Sequence, residues 1–355
     1  MTSRHSRIIG RWLLIGALMI FVQIILGGIT RLTESGLSIV RWDLITGIVP
    51  PLNEDQWLTE FERYQETPHA IAFNPDMCMC DFKTIFMWEW AHRLWGRMIG
   101  LVFIIPFVIF LARRMMSRAL IGRTLVALAL GAAIGVFGWI MVKSGLVAEP
   151  MVSPYLLAVH MGLAIITLSY VLWLALLQLV WKTSESYPGL RRWAIAVAIL
   201  IGVQIIFGAL MSGTEAARFY TTWPTMNGKI IPANILDFDS GYYPVTFIQF
   251  THRLIGYALV IMIALLAIKA IRSSVERSVK MHIAVGMSFM VVLQIALGVL
   301  TLAGTRTGTI PIDRALAHQA LGVIMLMSMV YVVYRLRVND IVKQNPSVLV
   351  DDALK

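Results

Sequence analysis

Apolar residues along this chain come in long unbroken runs, and polar residues are confined to the segments between them. Eight runs can be read, at 8–29, 84–112, 122–142, 155–181, 191–212, 246–271, 279–303 and 314–335. Each approaches or exceeds the roughly 20 residues that an α-helix needs to cross a bilayer. The pattern predicts an all-α polytopic membrane protein of eight transmembrane helices. Lys and Arg set the orientation. Arg4, Arg7 and Arg11 precede the first run, and Arg113, Arg114, Arg118 and Arg123 follow the second. Lys182, Arg191 and Arg192, then Lys269, Arg272, Arg277 and Lys280, then Arg335, Arg337 and Lys343 continue on the same side. The opposite loops are poorer in both, which puts both termini in the cytoplasm or its equivalent. The longest outer segment, 30–83, places Trp57, Phe61 and Tyr64 at helical spacing among Glu54, Asp55, Glu60, Glu62 and Glu66. That stretch predicts a short amphipathic helix lying over the membrane face.

Composition agrees with this reading. The 355 residues are 58% hydrophobic and 14% charged, with a net charge of +10. In a soluble protein such a balance would suggest nucleic acid as a partner; here positively charged cytoplasmic loops account for it, and no nucleic acid is expected. Two cysteines, Cys78 and Cys80, cannot make a disulfide framework, and pairing them with each other would be strained. The first run is as long as a full span and has no small-residue cleavage site, so no removable signal is expected.

The runs repeat. Val22-Gln23-Ile24-Ile25-Leu26-Gly27 matches Val203-Gln204-Ile205-Ile206-Phe207-Gly208, and at the same offset Glu34 meets Glu215 and Trp42 meets Trp223. His92-Arg93-Leu94 matches His252-Arg253-Leu254, and Ala158-Val159-His160 matches Leu316-Ala317-His318. The chain therefore divides into two four-helix units, 1–185 and 186–355, the second with a shorter first loop. Four spans separate equivalent positions, so both units insert the same way up, related by a pseudo-twofold axis along the membrane normal.

Four of seven histidines fall early in the even-numbered spans: His92, His160, His252 and His318. Those spans all run from outside to inside, which puts the four imidazoles at one depth near the outer face. His5 and His69 lie in polar segments and His282 near a cytoplasmic end, and these three read as surface residues. A lone intramembrane histidine is ordinarily a hydrogen-bonded core residue. Four at matched depth, two per repeat, suit the axial ligands of two six-coordinate haems. Zinc would want three or four closely spaced ligands, and a proton relay would want carboxylates between the imidazoles. The residue four beyond each histidine is small (Gly96, Ala164, Gly256, Gly322), which would clear the same helical face for a porphyrin; close helix packing is the other use of such residues. Arg93 and Arg253 could pair with haem propionates or snorkel to the interface.

The repeats differ in one chemically important place. Glu89 precedes His92 by three residues, whereas Gln249 precedes His252. A carboxylate one turn from an axial ligand is a candidate for proton transfer or for stabilising developing positive charge. One reactive site in the first half and an auxiliary redox site in the second follow, in a membrane enzyme working on or by means of haem.

Several motifs then resemble the haem A synthase family over nearly the whole chain. They are Gly28-Ile-Thr-Arg-Leu-Thr-Glu-Ser-Gly-Leu-Ser38, Val49-Pro-Pro-Leu52, Glu89-x-x-His92-Arg93, Gly138-Trp-x-Met-Val-Lys-Ser-Gly-Leu146, Gly208-Ala-Leu210, Trp223-Pro-x-Met226, Gln249-Phe-x-His252-Arg253 and His318-Gln319. The long first loop and the Met141–Leu146 run look like the mitochondrial and proteobacterial branch. The other branch carries cysteine pairs in two outer loops; this chain has none after span five, so no redox role is carried over to Cys78 and Cys80. The resemblance implies oxidation of the haem O methyl group to formyl, giving haem A. It implies that His92 and His160 hold the substrate haem, that His252 and His318 ligate haem B, and that Glu89 is the essential acid. It also implies a place in the cell inner membrane among its lipids, with haem O synthase, an electron carrier and terminal oxidase assembly factors as partners. Homo-oligomers occur in that family, and the sequence marks no interface for one. Two other functions compete, a di-haem electron-transfer cytochrome and a haem carrier. The first commonly stacks its haems at different depths, unlike these four ligands.

Overall fold

The computed structural model describes residues 3–43, 46–147, 150–179, 187–233, 235–236 and 244–337. Its helices are α1 Ser3–Leu32, α2 Glu54–Gln65, α3 Pro68–Phe73, α4 Met79–Ala112, α5 Arg118–Val147, α6 Pro154–Leu179, α7 Pro188–Gly213, α8 Val245–Arg272, α9 Arg277–Met281, α10 Ser288–Gly304 and α11 Ile312–Arg335. A π-helical stretch, His282–Met287, joins α9 to α10 into one span. Among the described residues eight helices are long and apolar enough to cross a membrane, and each overlaps one predicted run. The ends shift by up to five residues: α1 begins at Ser3 instead of 8, α5 ends at Val147 instead of 142, and α4 begins at Met79 instead of 84. Asn53 and Thr67 cap α2 and α3 by accepting the backbone N–H of Gln56 and Ala70, and Pro68 opens α3 where no N–H is needed. The predicted end of the fourth run, 181, lies outside the described residues.

In the first half α1, α4, α5 and α6 touch in a closed ring, and in the second α7, α8, α10 and α11 do the same. The rings meet through α1, α6, α7 and α11. Two polar ties cross between them. Gln319 Nε2 donates to the Ile24 carbonyl at 2.8 Å, beside a glycine, Gly28, whose missing Cβ leaves room for the amide. Arg31 Nη2 donates to the Ser212 carbonyl at 2.7 Å and pairs with Glu215 at 3.4 Å.

Burial is uneven along the bundle. The tight apolar core, with Ile9, Leu13, Leu168, Leu174, Val197, Leu266, Met329 and Val332, fills the end where the basic loops lie. At the level of the four histidines the packing opens. No fully buried residue occurs over 90–102 of α4, 128–144 of α5, 202–208 of α7, 250–258 of α8, 292–301 of α10 or 312–321 of α11. Protein interiors are close-packed when nothing else fills them, so this belt has space for a bulky group.

The outer loop of the first half forms a cap. The predicted amphipathic helix is α2, and its Phe61 and Tyr64 bury against Phe82 and Phe86 of α4, with Trp57 edge-on to both. This explains the earlier start of α4: its first turns project beyond the apolar run to carry the cap. Burial raises the pKa of the Tyr64 hydroxyl, the nearby Glu34 adds to the effect, and a hydrogen bond from Asn74 opposes it. Phe82→Ala is expected to destabilise the cap by about 3–5 kcal/mol, since Phe82 is wholly buried. Limited proteolysis should then cut within 54–73 while the second half stays intact; an unchanged digestion pattern would refute this.

Candidate functional site

The four histidines come together in two pairs. His92 on α4 and His160 on α6 lie on opposite corners of the first ring, close enough to feel each other's charge. His252 on α8 and His318 on α11 lie on opposite corners of the second, with ring centres 6.3 Å apart and planes inclined at 58°. Two imidazole–metal bonds of about 2.0 Å, extended to the ring centres, would set axial ligands about 6.4 Å apart. The second pair therefore already has the separation that one iron between two imidazoles requires, and the belt of loose packing lies at that depth.

Each imidazole meets a glycine on the neighbouring odd-numbered span. A Cβ would lie 2.9 Å from His318 Cε1 at Gly298, 3.0 Å from His160 at Gly138, 3.1 Å from His92 at Gly27 and 3.5 Å from His252 at Gly208. One turn before three of these glycines stands a glutamine. Gln23, Gln204 and Gln294 donate Nε2–H to the backbone carbonyls of His92, His252 and His318 at 3.1, 2.9 and 3.0 Å. Gln23 Nε2 is also 3.3 and 3.2 Å from the two ring nitrogens of His92. A nitrogen equidistant from both lies beside the ring rather than along either lone pair, so it acts as a stop against ring rotation. His318 Nδ1 donates to the Gln294 carbonyl at 3.0 Å, whereas Nδ1 of His160 and of His252 is buried with no hydrogen-bond partner among the described residues. A ligating histidine is oriented by such a bond from Nδ1, which leaves Nε2 for a metal.

Glu89 is 2% exposed and fully engaged. Ser38 Oγ and the Ile39 N–H both donate to Oε2 at 2.8 Å, and Arg93 Nη2 donates to Oε1 at 2.5 Å. Arg93 also donates to the carbonyls of Ile39 and Arg41 and stacks on Trp42, with its guanidinium carbon 4.9 Å from the ring centre. Arg97 donates to the Asp43 carbonyl and Trp90 to that of Ile48. Together these bonds draw the loop after α1 down over His92, around an open pocket that Arg41, Arg93 and Arg97 line. The second half repeats the device with one change. Arg253 donates to the carbonyls of Tyr220 and Thr225, and Gln249 donates to that of Tyr220. Glu89 accepts from its loop where Gln249 gives to its own, and only Glu89 brings a negative charge.

Four expectations change. His69 is buried, not on the surface: its Nδ1 donates to the Pro150 carbonyl at 2.8 Å, which ties α3 to the loop before α6. Cys78 and Cys80 are joined in a disulfide, because extended backbone at the α4 N-cap brings the two side chains together. The small residues four beyond the histidines serve the glutamines: the Cβ positions of Gly96, Gly256 and Gly322 face the amides of Gln23, Gln204 and Gln294 at 3.5, 3.7 and 3.2 Å. Arg93 and Arg253 spend donors on loop carbonyls instead of reaching for the interface. The bracing glutamines were not recognised from the sequence as functional. Their signal was Gln-x-x-x-Gly at 23/27, 204/208 and 294/298, with Ile134 before Gly138 as the exception.

The model of the COX15-CtaA family, described as cytochrome oxidase assembly protein, matches residues 10–330. A heme A synthase of Caulobacter sp. (strain K31) is 38% identical over 346 residues, covering 94% of this chain and 98% of its own. That of Bradyrhizobium diazoefficiens is 39% identical over 354 residues, 98% of this chain and 96% of its own. A third, from Parvibaculum lavamentivorans, is 40% identical over 266 residues, 74% and 77% of the two chains.

Proposed function

The chain belongs to the COX15-CtaA family of cytochrome oxidase assembly proteins, and from that premise we propose that it is a membrane oxidoreductase converting the methyl group of haem O to the formyl group of haem A. In this reading residues 1–185 carry the substrate site, with His92 and His160 as axial ligands. Residues 186–355 carry haem B between His252 and His318. The two halves are related by a pseudo-twofold axis along the membrane normal. The observation that carries the reading is the pairing of four imidazoles, two per ring, with one pair at the spacing an iron needs.

The bound haem supplies the redox chemistry. The chain's own residues orient and enclose it. Glycines open the helix faces that the imidazoles approach, and the outer loops close over the two sites. Glu89 sets a fixed negative charge one turn from His92, where it stabilises positive charge developing at a porphyrin substituent. Arg93 and Arg253 offer their remaining N–H groups to propionates. The reading makes haem O synthase the source of substrate, and an electron carrier and terminal oxidase assembly factors the other partners. It puts the protein in the cell inner membrane with both termini cytoplasmic and the haem sites near the outer face.

Extracting pigments from the purified protein tests this. Two haems per chain are expected, one of them farnesylated. His252→Ala or His318→Ala should remove haem B and leave the farnesylated haem. Only non-farnesylated haem in the intact protein would favour an electron-transfer cytochrome, and retention of both haems in the variants would refute the ligand assignment.

A further inference from the structure

Three of the four histidines accept a glutamine amide N–H at the backbone carbonyl and one does not. At an offset of 160, Gln294 of α10 corresponds to Ile134 of α5, so His160 faces an isoleucine where His318 faces a glutamine. The residue one turn beyond each histidine changes in step. Gly96, Gly256 and Gly322 stand where an amide comes in, and Ala164 stands where none does. The glycines are thus part of the brace, and the first half's fourth helix lacks both components.

The brace is not a passive filler. The amide oxygens of Gln23, Gln204 and Gln294 are all buried without a hydrogen-bond partner among the described residues. A buried orphan acceptor is unfavourable. That three spans each retain one implies that the amide N–H does something which offsets it. The N–H is held by the histidine carbonyl, and this fixes which way the amide faces. In the Gln23 case the nitrogen then lies against the imidazole edge. At His160 the ring has Gly138 beside it, and its Nδ1 is buried with no hydrogen-bond partner among the described residues.

We propose that His160 is the yielding ligand: with no Gln–Gly pair holding its stretch of helix, this imidazole swings off, so that the first-half site exchanges its haem while the second-half site, where a glutamine holds the carbonyl of each histidine, keeps its own. This rests on the proposed haem ligation. It turns the difference between a substrate site and a cofactor site into a property of two positions, 134 and 164. Gln23, Gln204 and Gln294 are positioning residues acting through the histidines.

Carbon monoxide binds ferrous haem only where an axial ligand lets go, so its binding kinetics read the brace directly on the purified two-haem protein. The unaltered chain should show one fast phase with an amplitude of one haem per chain. Ile134→Gln with Ala164→Gly, which installs a brace, should slow that phase about tenfold, the effect of roughly one ordinary hydrogen bond. Gln294→Ile with Gly322→Ala, which removes one, should create a second fast phase. Haem content of each variant is measured alongside. An unchanged fast phase in the first variant, or no second phase in the other, with two haems bound, would overturn the proposal. A chain that purifies without two bis-imidazole haems would instead refute the proposed function itself.

Discussion

Glu89→Ala is expected to lower haem A formation at least about a hundredfold while both haems remain bound. Acid or charge-stabilising groups at a reacting centre typically contribute that much or more. None of the four imidazoles hydrogen-bonds to Glu89, so ligation should persist. The substitution also leaves Arg93, whose side chain is 10% exposed, without its carboxylate. Breaking a buried pair by removing one member costs about 3–5 kcal/mol, so the loop at 38–41 should loosen as well. Glu89→Gln separates these effects, because it keeps the shape and some of the hydrogen bonds and mimics what Gln249 does in the second half. If charge is what matters, Glu89→Gln should be as inactive as Glu89→Ala. If Glu89 only glues the loop, Glu89→Gln should recover most of the activity. Full turnover by Glu89→Ala, measured as haem A per haem O supplied, would remove Glu89 from the chemistry.

Gly298→Ala is expected to release most of the haem from the second-half site, at least about a fivefold loss of occupancy at low haem supply. The new Cβ would lie 2.9 Å from His318 Cε1, beside the ligating nitrogen, and the Nδ1 bond to the Gln294 carbonyl keeps the ring from turning away. With the ring held in this way, the strain goes into the ligand. Gly208→Ala is the control. Its Cβ would meet His252 at 3.5 Å, an ordinary contact, so occupancy should stay near that of the unaltered chain. The two glycines face the two ligands of one proposed iron, and their unequal clearances predict unequal outcomes. Equal haem content in both variants, read from pigment extraction, would show that the glycines do not set the ligand position.

Much of this was legible from residues alone. Runs of apolar residues long enough to cross a bilayer have few alternatives, so the eight spans follow with only their ends shifted. The four histidines stand out because ionisable groups are rare in such runs and because the repeats pair them. Other features depend on contacts between distant segments. His69 occupies a polar stretch and is buried only because α3 meets the loop at Pro150. The early turns of α4, with Cys80, Asp81 and Lys83, lack the hydropathy of a span and are helical because the cap packs on Phe82 and Phe86. Gln23 and Gln204 read as markers of the repeat, since nothing in either reveals which carbonyl the amide will find. Only the matching glycine one turn beyond three of the histidines hinted at a partner, and it pointed equally well to a porphyrin.

The bond from Gln319 to the Ile24 carbonyl joins residues that are chain neighbours of His318 and Gln23. His318 and the glutamine that holds His92 are thus separated by two peptide links and one hydrogen bond. Ile24 is 5% exposed, so solvent has little access to that bond. That short link holds the two halves in register at the level of their histidines.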